Sequence, residues 1–105
     1  MSAYLIANVD IHDTDKIQDY LKATPDVIKK FGGRFLVRGG EFWIAEGSWA
    51  PKRLVILEFP DYTKAKAFWH SEEYEPLKEL RQRLATTDLV IVDGITKEMS
   101  ELLNK

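Results

Sequence analysis

Two helical patterns separate four short apolar runs in this chain, and this order of elements limits the folds open to it. The runs lie at 4–9, 34–38, 53–59 and 89–92 and are rich in β-branched and aromatic residues. Apolar residues recur at helical spacing over 17–31 and again over 65–84. The order strand, helix, strand, strand, helix, strand predicts an α+β, ferredoxin-like βαββαβ fold with a four-stranded antiparallel sheet.

Capping residues and prolines predict where the first helix begins and bends. Asp13 or Thr14 can cap it, and the paired glycines at 32–33 can end it. Pro25 lies inside the helical pattern and removes a backbone donor there. We therefore expect a kink at this position or two shorter helices.

Capping residues, prolines and glycines also predict the limits of the second helical region and of the connection after the second strand. Asp61 or Thr63 can cap the first part, and Pro76 fits the first turn of a main helix that begins near Glu75. The run 41–46 follows two glycines at 39–40. It predicts that the second strand resumes beyond a glycine bend.

The chain is long enough for one domain. With 105 residues, we assign 1–95 to the ferredoxin-like domain and 96–105 to a short amphipathic C-terminal helix. The apolar stripe of this tail is Ile95, Met99, Leu102 and Leu103.

The strongest strands are apolar on consecutive residues, as in LVIL at 54–57 and LVIV at 89–92. Both faces of the sheet are then apolar, whereas the two helices cover one face only. The economical solution is a homodimer in which two sheets pack face to face. A monomer with an apolar patch is the alternative.

Charge and cysteine content exclude several classes of function. The net charge is -2, without a basic cluster, which disfavours binding to nucleic acid. The chain has no cysteine, so disulfides and thiolate chemistry are excluded. No apolar run is long enough for a membrane span, and no leader peptide is evident. We expect a cytoplasmic protein that contacts neither membrane nor nucleic acid.

The run from Gly32 to Arg81 resembles a known bacterial family. It contains E-G-x-W-x-P-x-R at 46–53, E-F-P at 58–60 and S-x-x-Y at 71–74. On these residues the chain is identified as a member of domain-of-unknown-function family 1330, in the dimeric α+β barrel superfamily. The resemblance, over about residues 3–94, implies the fold and a homodimer but no established reaction.

Other members of that superfamily are similar at a few further positions. They include cofactor-free monooxygenases, haem-degrading enzymes and lactone isomerases. The resemblance places Asn8 and Trp69 at positions that are catalytic in some of them, whereas Lys78 stands where haem degraders carry a histidine. An ammonium has no lone pair for iron, so we expect no haem. Structural roles for Asn8 and Trp69, in a strand-edge hydrogen bond and in the core, are the alternative.

The two histidines, His12 and His70, are far apart in sequence and lack metal-ligand spacing. We predict no metal site and no cofactor. His70 directly follows Trp69 and can cap the preceding helix or act as a general base in a pocket.

Arginines at strand ends are the candidates for ligand binding. Arg34, Arg38 and Arg53 lie near Glu46 and Glu58 in the predicted sheet. One interpretation is a structural ion pair. The other is a guanidinium clamp on a small organic acid between sheet and helices, with Arg38 expected to be more sensitive to replacement than Arg53.

Aromatic side chains supply the remaining candidates for the site. Tyr74, together with Tyr20 and Trp49, can wall a cavity or fill a dimer interface.

Two functions therefore stay open: a small-molecule site for an acidic metabolite, with monooxygenase or isomerase-like activity, and a binding or structural dimer without turnover. A cavity between sheet and helices favours the first, and a filled space favours the second.

Overall fold

The computed structural model describes residues 1–104 of the chain. Lys105, the last residue of the predicted tail, lies outside the described residues. The elements in chain order are β1 (Ala3–Ile11), α1 (Gln18–Lys30), β2 (Arg34–Arg38), β3 (Leu54–Phe59), α2 (Tyr62–His70), α3 (Glu75–Leu84), β4 (Ala85–Asp93) and α4 (Lys97–Leu103).

The four strands form one antiparallel sheet in the order β2-β3-β1-β4. This is the order of the ferredoxin-like α+β fold, so the predicted fold class is confirmed. β4 begins at Ala85, four residues before its predicted start, because Thr86 and Thr87 pair with Asp10 and Val9 of β1. Both threonines are β-branched and favour extended backbone.

The helices α1, α2 and α3 cover one face of the sheet, which we call the inner face. The core lies there and includes Phe59, Phe68 and Tyr74, all at most 2% exposed. The ring centroids of Phe68 and Tyr74 lie 4.3 Å apart. Ala3 and Ala65 are fully buried, and their small side chains let helix and sheet approach closely.

The opposite, outer face of the sheet carries no helix and is also apolar. Residues opposite each other on adjacent strands point to the same face. By this register Val37, Ile56, Ile6 and Val90 form one row across all four strands. Val90 is 59% exposed.

Local signals set most helix limits. The Asp61 carboxylate accepts a hydrogen bond from the Lys64 amide at 2.7 Å and caps α2 as predicted. Asp13 instead caps a turn just before α1, where its Oδ1 accepts from the amides of Asp15 and Lys16. Pro76 lies in the first turn of α3, as predicted.

One prediction of local structure is wrong, and so is one of two alternatives at a second place. Residues 41–46 form no strand: once the chain leaves the glycines at 39–40, no neighbouring strand is available to pair with it. Of the two alternatives at Pro25, a kink or two shorter helices, the second is wrong, because α1 is one continuous helix. Burial of Thr24 and Ile28 against the sheet holds α1 together across the proline.

Among residues 1–104, no helix has the length and apolar character needed to cross a bilayer.

Candidate functional site

A cavity lies between the inner face of the sheet and the helices α1 and α3. Its interior volume is about 60 Å³, and it is partly open to solvent. Most of its wall is apolar and includes Leu5, Ala7, Leu57 and Leu89 from the sheet and Ile28 from α1. Small-molecule sites commonly combine such a wall with a few polar groups.

Three arginines, Arg38, Arg53 and Arg81, also line this cavity. No aspartate, glutamate or histidine of residues 1–104 lines it with them. None of the ion pairs within the described chain involves any of the three guanidinium groups. The cavity therefore combines an apolar wall with uncompensated positive charge.

Arg81 is the deepest of the three cations. It is 5% exposed, and its Nε donates a long hydrogen bond of 3.4 Å to the Tyr74 hydroxyl. Burial lowers the pKa of Arg81, but Tyr74 and Tyr20 outweigh that effect and hold the pKa above its usual value. Its Nη2 is buried and has no partner. A charged donor is thus available inside the cavity.

Two tyrosine hydroxyls lie beside this guanidinium. The hydroxyl oxygens of Tyr20 and Tyr74 are 2.8 Å apart and share a hydrogen bond. Burial, together with Tyr74, raises the pKa of Tyr20 above its usual value. Tyr20 therefore remains a neutral hydroxyl at physiological pH and does not neutralise Arg81.

Ser71 orients Tyr74 at the start of α3. Its Oγ donates to the Phe68 carbonyl at 2.8 Å and accepts from the Tyr74 amide at 3.2 Å. The S-x-x-Y segment thus closes α2 and directs the tyrosine into the core. Seven residues later, two helical turns on, Arg81 lies on the same side of α3.

Two buried threonine hydroxyls complete the polar part of the wall. Thr24 from α1 and Thr87 from β4 both line the cavity, and neither Oγ1 has a hydrogen-bond partner. A buried polar group without a partner costs about 1–3 kcal/mol. With Nη2 of Arg81, three buried polar atoms on residues of this wall have no hydrogen-bond partner among the described residues.

Arg38 is held at the mouth by a consequence of Pro25. Because proline has no amide hydrogen, the Leu21 carbonyl one turn earlier lacks its helical donor. Nη2 of Arg38 donates to that carbonyl at 3.1 Å. Its guanidinium carbon also lies 4.4 Å from the centre of the Phe35 ring.

Arg53 is held on the other side of the mouth by Gly39. The φ of Gly39 is +69°, and a Cβ there would lie 2.8 Å from the guanidinium carbon of Arg53. Glycine thus provides both the turn and the room for the side chain.

The predicted site residues fall into two groups. Arg38, Arg53 and Tyr74 lie together at the cavity. Asn8 lies on the outer face, where its Oδ1 accepts from the Lys52 amide at 2.8 Å. His70 is the exposed last residue of α2.

The other candidates are also separated from one another. Trp69 does not line this cavity but lines a second pocket that also contacts Arg81 and Thr87. Its ring centre lies 6.0 Å from that of Tyr74 and 4.5 Å from the Lys78 ammonium. Glu46 is exposed in the connection between β2 and β3. The structure therefore does not bring Asn8, Trp69 and His70 into one site.

The predicted pairing of a strand carboxylate with an arginine is present at Glu58. Its Oε1 lies 2.7 Å from Arg34 Nη2 and accepts from Nε at the same distance. The hydrogen bond from Arg34 lowers the pKa of the Glu58 carboxyl. Arg34 is therefore paired with a carboxylate, whereas none of the three arginines of the cavity has one among the described residues.

The interpretation of the sequence missed Arg81, Thr24 and Thr87 as site residues. Arg81 falls on the apolar side of α3 together with Tyr74 and Leu77. A charged residue in an apolar stripe was the available signal, because such residues are rarely buried without a partner.

Fold and site together define an α+β ferredoxin-like protein with an arginine-lined internal cavity. The chain belongs to the family described as Domain of unknown function (DUF1330), whose model matches residues 2–95. A search of curated proteins found no match.

Solved structures share the fold at low sequence identity. A protein of unknown function from Rhodopseudomonas palustris is 15% identical, with a TM-score of 0.68, over 90% of this chain and 83% of that one. SnoaB, a cofactor-independent oxygenase from Streptomyces nogalater, is 8% identical, with a TM-score of 0.61, over 91% and 95%. At these identities the likeness concerns the fold alone.

Proposed function

We propose that the protein binds a small organic anion in the cavity between sheet and helices. The apolar body of the ligand lies against the inner face of the sheet. Its carboxylate or enolate oxygen accepts hydrogen bonds from Arg81 and from the threonine and tyrosine hydroxyls near it. The observation that carries this proposal is the set of three cavity arginines without a carboxylate.

A purely structural role fits this arrangement poorly. A buried guanidinium is costly unless a carboxylate or several acceptors compensate it. Arg81 has one long hydrogen bond and an unpartnered Nη2. An anion that enters the cavity would supply the missing acceptor.

Binding without turnover is better supported than an isomerase or monooxygenase reaction within one protomer. Removal of a proton from a substrate carbon needs a base that is deprotonated near neutral pH. Within residues 1–104, the cavity wall contains no carboxylate or imidazole, and Tyr20 is neutral. The likeness to SnoaB gives fold and not reaction.

The test is a melting-temperature screen with pairs of ligands that differ in charge. Benzoate, phenylacetate and short-chain carboxylates are compared with the matching neutral alcohols. We expect acids of the right size to raise the Tm of the wild type and the alcohols to have little effect, since binding to the folded state stabilises it. Arg81→Met should abolish the shift.

Arg83→Met is the matched control, because Arg83 lies on the exposed side of the same helix. It should respond to acids as the wild type does. If no acid shifts the wild type, or if Arg81→Met responds equally, the organic-anion site is wrong.

We also propose that the protein is a homodimer through the outer face of the sheet. The support is the apolar row there, in which Val90 is 59% exposed and the other three residues are half-buried. Contiguous apolar patches of this kind usually mark an interface. A second sheet of the same chain can cover the row in a two-fold arrangement.

A further inference from the structure

The connection between β2 and β3, residues 39–52, forms an arm that contains no helix or strand. Four of its large apolar side chains are exposed: Phe42, Trp43, Ile44 and Trp49. Trp43 is 86% exposed. A soluble protein rarely leaves so many large apolar groups together in water unless they contact a partner.

The arm begins and ends at the mouth of the cavity. The Gly39 amide donates to the Leu54 carbonyl at 2.8 Å, and the Lys52 amide donates to Asn8 Oδ1 at 2.8 Å. Arg38 and Arg53, directly outside these two anchors, line the cavity. The base of the arm is therefore fixed beside the mouth.

The arm does not cover the cavity of its own protomer. No residue from 40 to 50 lines that cavity. A Cβ added at Gly40 or at Gly47 would meet no other atom within 4 Å, so the arm stands in open space at both positions. The mouth of the cavity is left uncovered.

We propose that the arm of each protomer lies against the other protomer of the dimer and closes the mouth of that protomer's cavity. The proposal rests on the homodimer inferred above. Its occupant is a second copy of this chain. The binding site is then composite, with its deep wall from one protomer and its cover from the other.

Charge complementarity supports this arrangement. The arm carries two carboxylates, Glu41 and Glu46, and its one cation, Lys52, lies at its anchored base. The mouth carries Arg38 and Arg53, which have no carboxylate partner among the described residues. Opposite charges at a contact fix its register and exclude other partners.

Continuity with the outer face also supports a second copy. The arm leaves from β2 and β3, which contribute Val37 and Ile56 to the apolar row. The protomer is only 17 Å thick along its shortest axis, one sheet and one helix layer. In a two-fold dimer each arm that extends beyond its own sheet meets the other copy, and each contact occurs twice.

In the composite site, the second protomer would supply the cover that the cavity of a single protomer lacks. The aromatic side chains of the arm provide an apolar cover for the open mouth. A carboxylate of the arm competes with an anionic ligand for the arginines, so the ligand would enter when the arm is displaced.

The test uses photo-crosslinking and needs no known ligand. Benzoylphenylalanine replaces Trp43, and chains labelled with ¹⁵N are mixed and reassembled with unlabelled chains before irradiation. We expect covalent dimers, including mixed-isotope species, with crosslinks to peptides at the mouth, near residues 38 and 53. Benzoylphenylalanine at Tyr62, an exposed residue on the helix side, is the control and should give none.

Every outcome decides the proposal. Crosslinks only within one chain, or crosslinks to another part of the second chain, overturn it, and so does the absence of any crosslink. Light scattering on the same sample separates the two inferences: a dimer without arm crosslinks refutes the arm contact alone, and a monomer refutes both. A Trp43 fluorescence shift that appears only with phosphatidylserine vesicles would assign the arm to lipid instead.

Discussion

The energetics of single residues distinguish a binding cavity from a merely polar core. Arg81 is buried with an unpartnered donor, which is a costly arrangement. Arg81→Met keeps most of the side-chain volume and removes the charge. We expect the variant to be more stable by about 1–3 kcal/mol, since replacing buried ionic groups by apolar ones is often stabilising.

The measurement is thermal unfolding without ligand at one fixed protein concentration. For a domain of this size each 1 kcal/mol corresponds to roughly 4–8 °C in Tm. Arg83→Met on the exposed side of α3 should stay close to the wild type. A clear decrease in the Tm of Arg81→Met would show that the guanidinium stabilises the fold and would argue against a reserved binding group.

The Glu58 carboxyl gives the protein a predictable acid dependence. Its pKa is lowered in the folded state by the hydrogen bond from Arg34. The pair therefore stabilises the fold at pH values above the usual carboxyl pKa of about 4.3, and this contribution is lost as the pH falls through the lower folded value. Because Arg34 is exposed and Glu58 is partly so, solvent screens the pair and we expect a small effect.

Glu58→Gln tests this dependence. Its Tm should lie below that of the wild type at neutral pH, and the two curves should converge in acid. Glu79→Gln, on the exposed side of α3, serves as the control. A difference between Glu58→Gln and the wild type that persists unchanged into strong acid would contradict the linkage to this carboxyl.

The candidate site was predictable from single residues only in part. Arg38, Arg53 and Tyr74 were predicted as ligand-binding residues and do lie together at one cavity. Arg81 was not singled out, because an arginine in an apolar stripe can extend its charged end to solvent. Only the packing of α3 against Tyr74 shows that this arginine is buried.

At the scale of elements, a hydrogen bond missing from the middle of α1 helps to position a residue of the site. Pro25 leaves the Leu21 carbonyl without its helical donor, and Arg38 takes the vacant place. Pro25→Ala restores the amide and should raise the Tm, because proline is unfavourable in a helix interior. It should also release Arg38, so that its guanidinium rotates faster in ¹⁵N NMR.

Pro76→Ala is the matched control, since Pro76 lies in the first turn of α3, where proline costs little. It should change neither the Tm appreciably nor the Arg38 signal. If Pro25→Ala leaves the rotation of Arg38 unchanged, the proline does not position that arginine.

The elements themselves were predicted where local pattern and packing agree. The runs 53–59 and 34–38 match β3 and β2 closely, because both are apolar and bounded by turn residues. The run 41–46 has the same composition and forms no strand. The apolar composition of a run shows that its side chains gain free energy on burial. A strand also needs the unpaired edge of a neighbouring strand, and the sequence does not show whether one is within reach.

At the scale of the whole molecule, three apolar surfaces are not covered by the chain itself. The outer face, the arm and α4 all expose large apolar side chains, including Val92, Trp43 and Leu102. A helix layer covers only the inner face. The order of secondary-structure elements was enough to predict this one-sided fold, and the consecutive apolar residues in its strands predicted the second apolar face.

The homodimer can be tested at this scale with one substitution on the outer face. Light scattering of the wild type at micromolar concentration should return twice the 12.1 kDa chain mass. Its Tm should rise with protein concentration, because association stabilises the folded state by mass action. Val90→Lys puts a charge at the β4 end of the apolar row, where burial against a second sheet would be costly, so this variant should be monomeric. Ala67→Lys, on the exposed side of α2, should remain dimeric. A wild type at the single-chain mass, or a Val90→Lys variant that stays dimeric, would show that the outer face is not the interface.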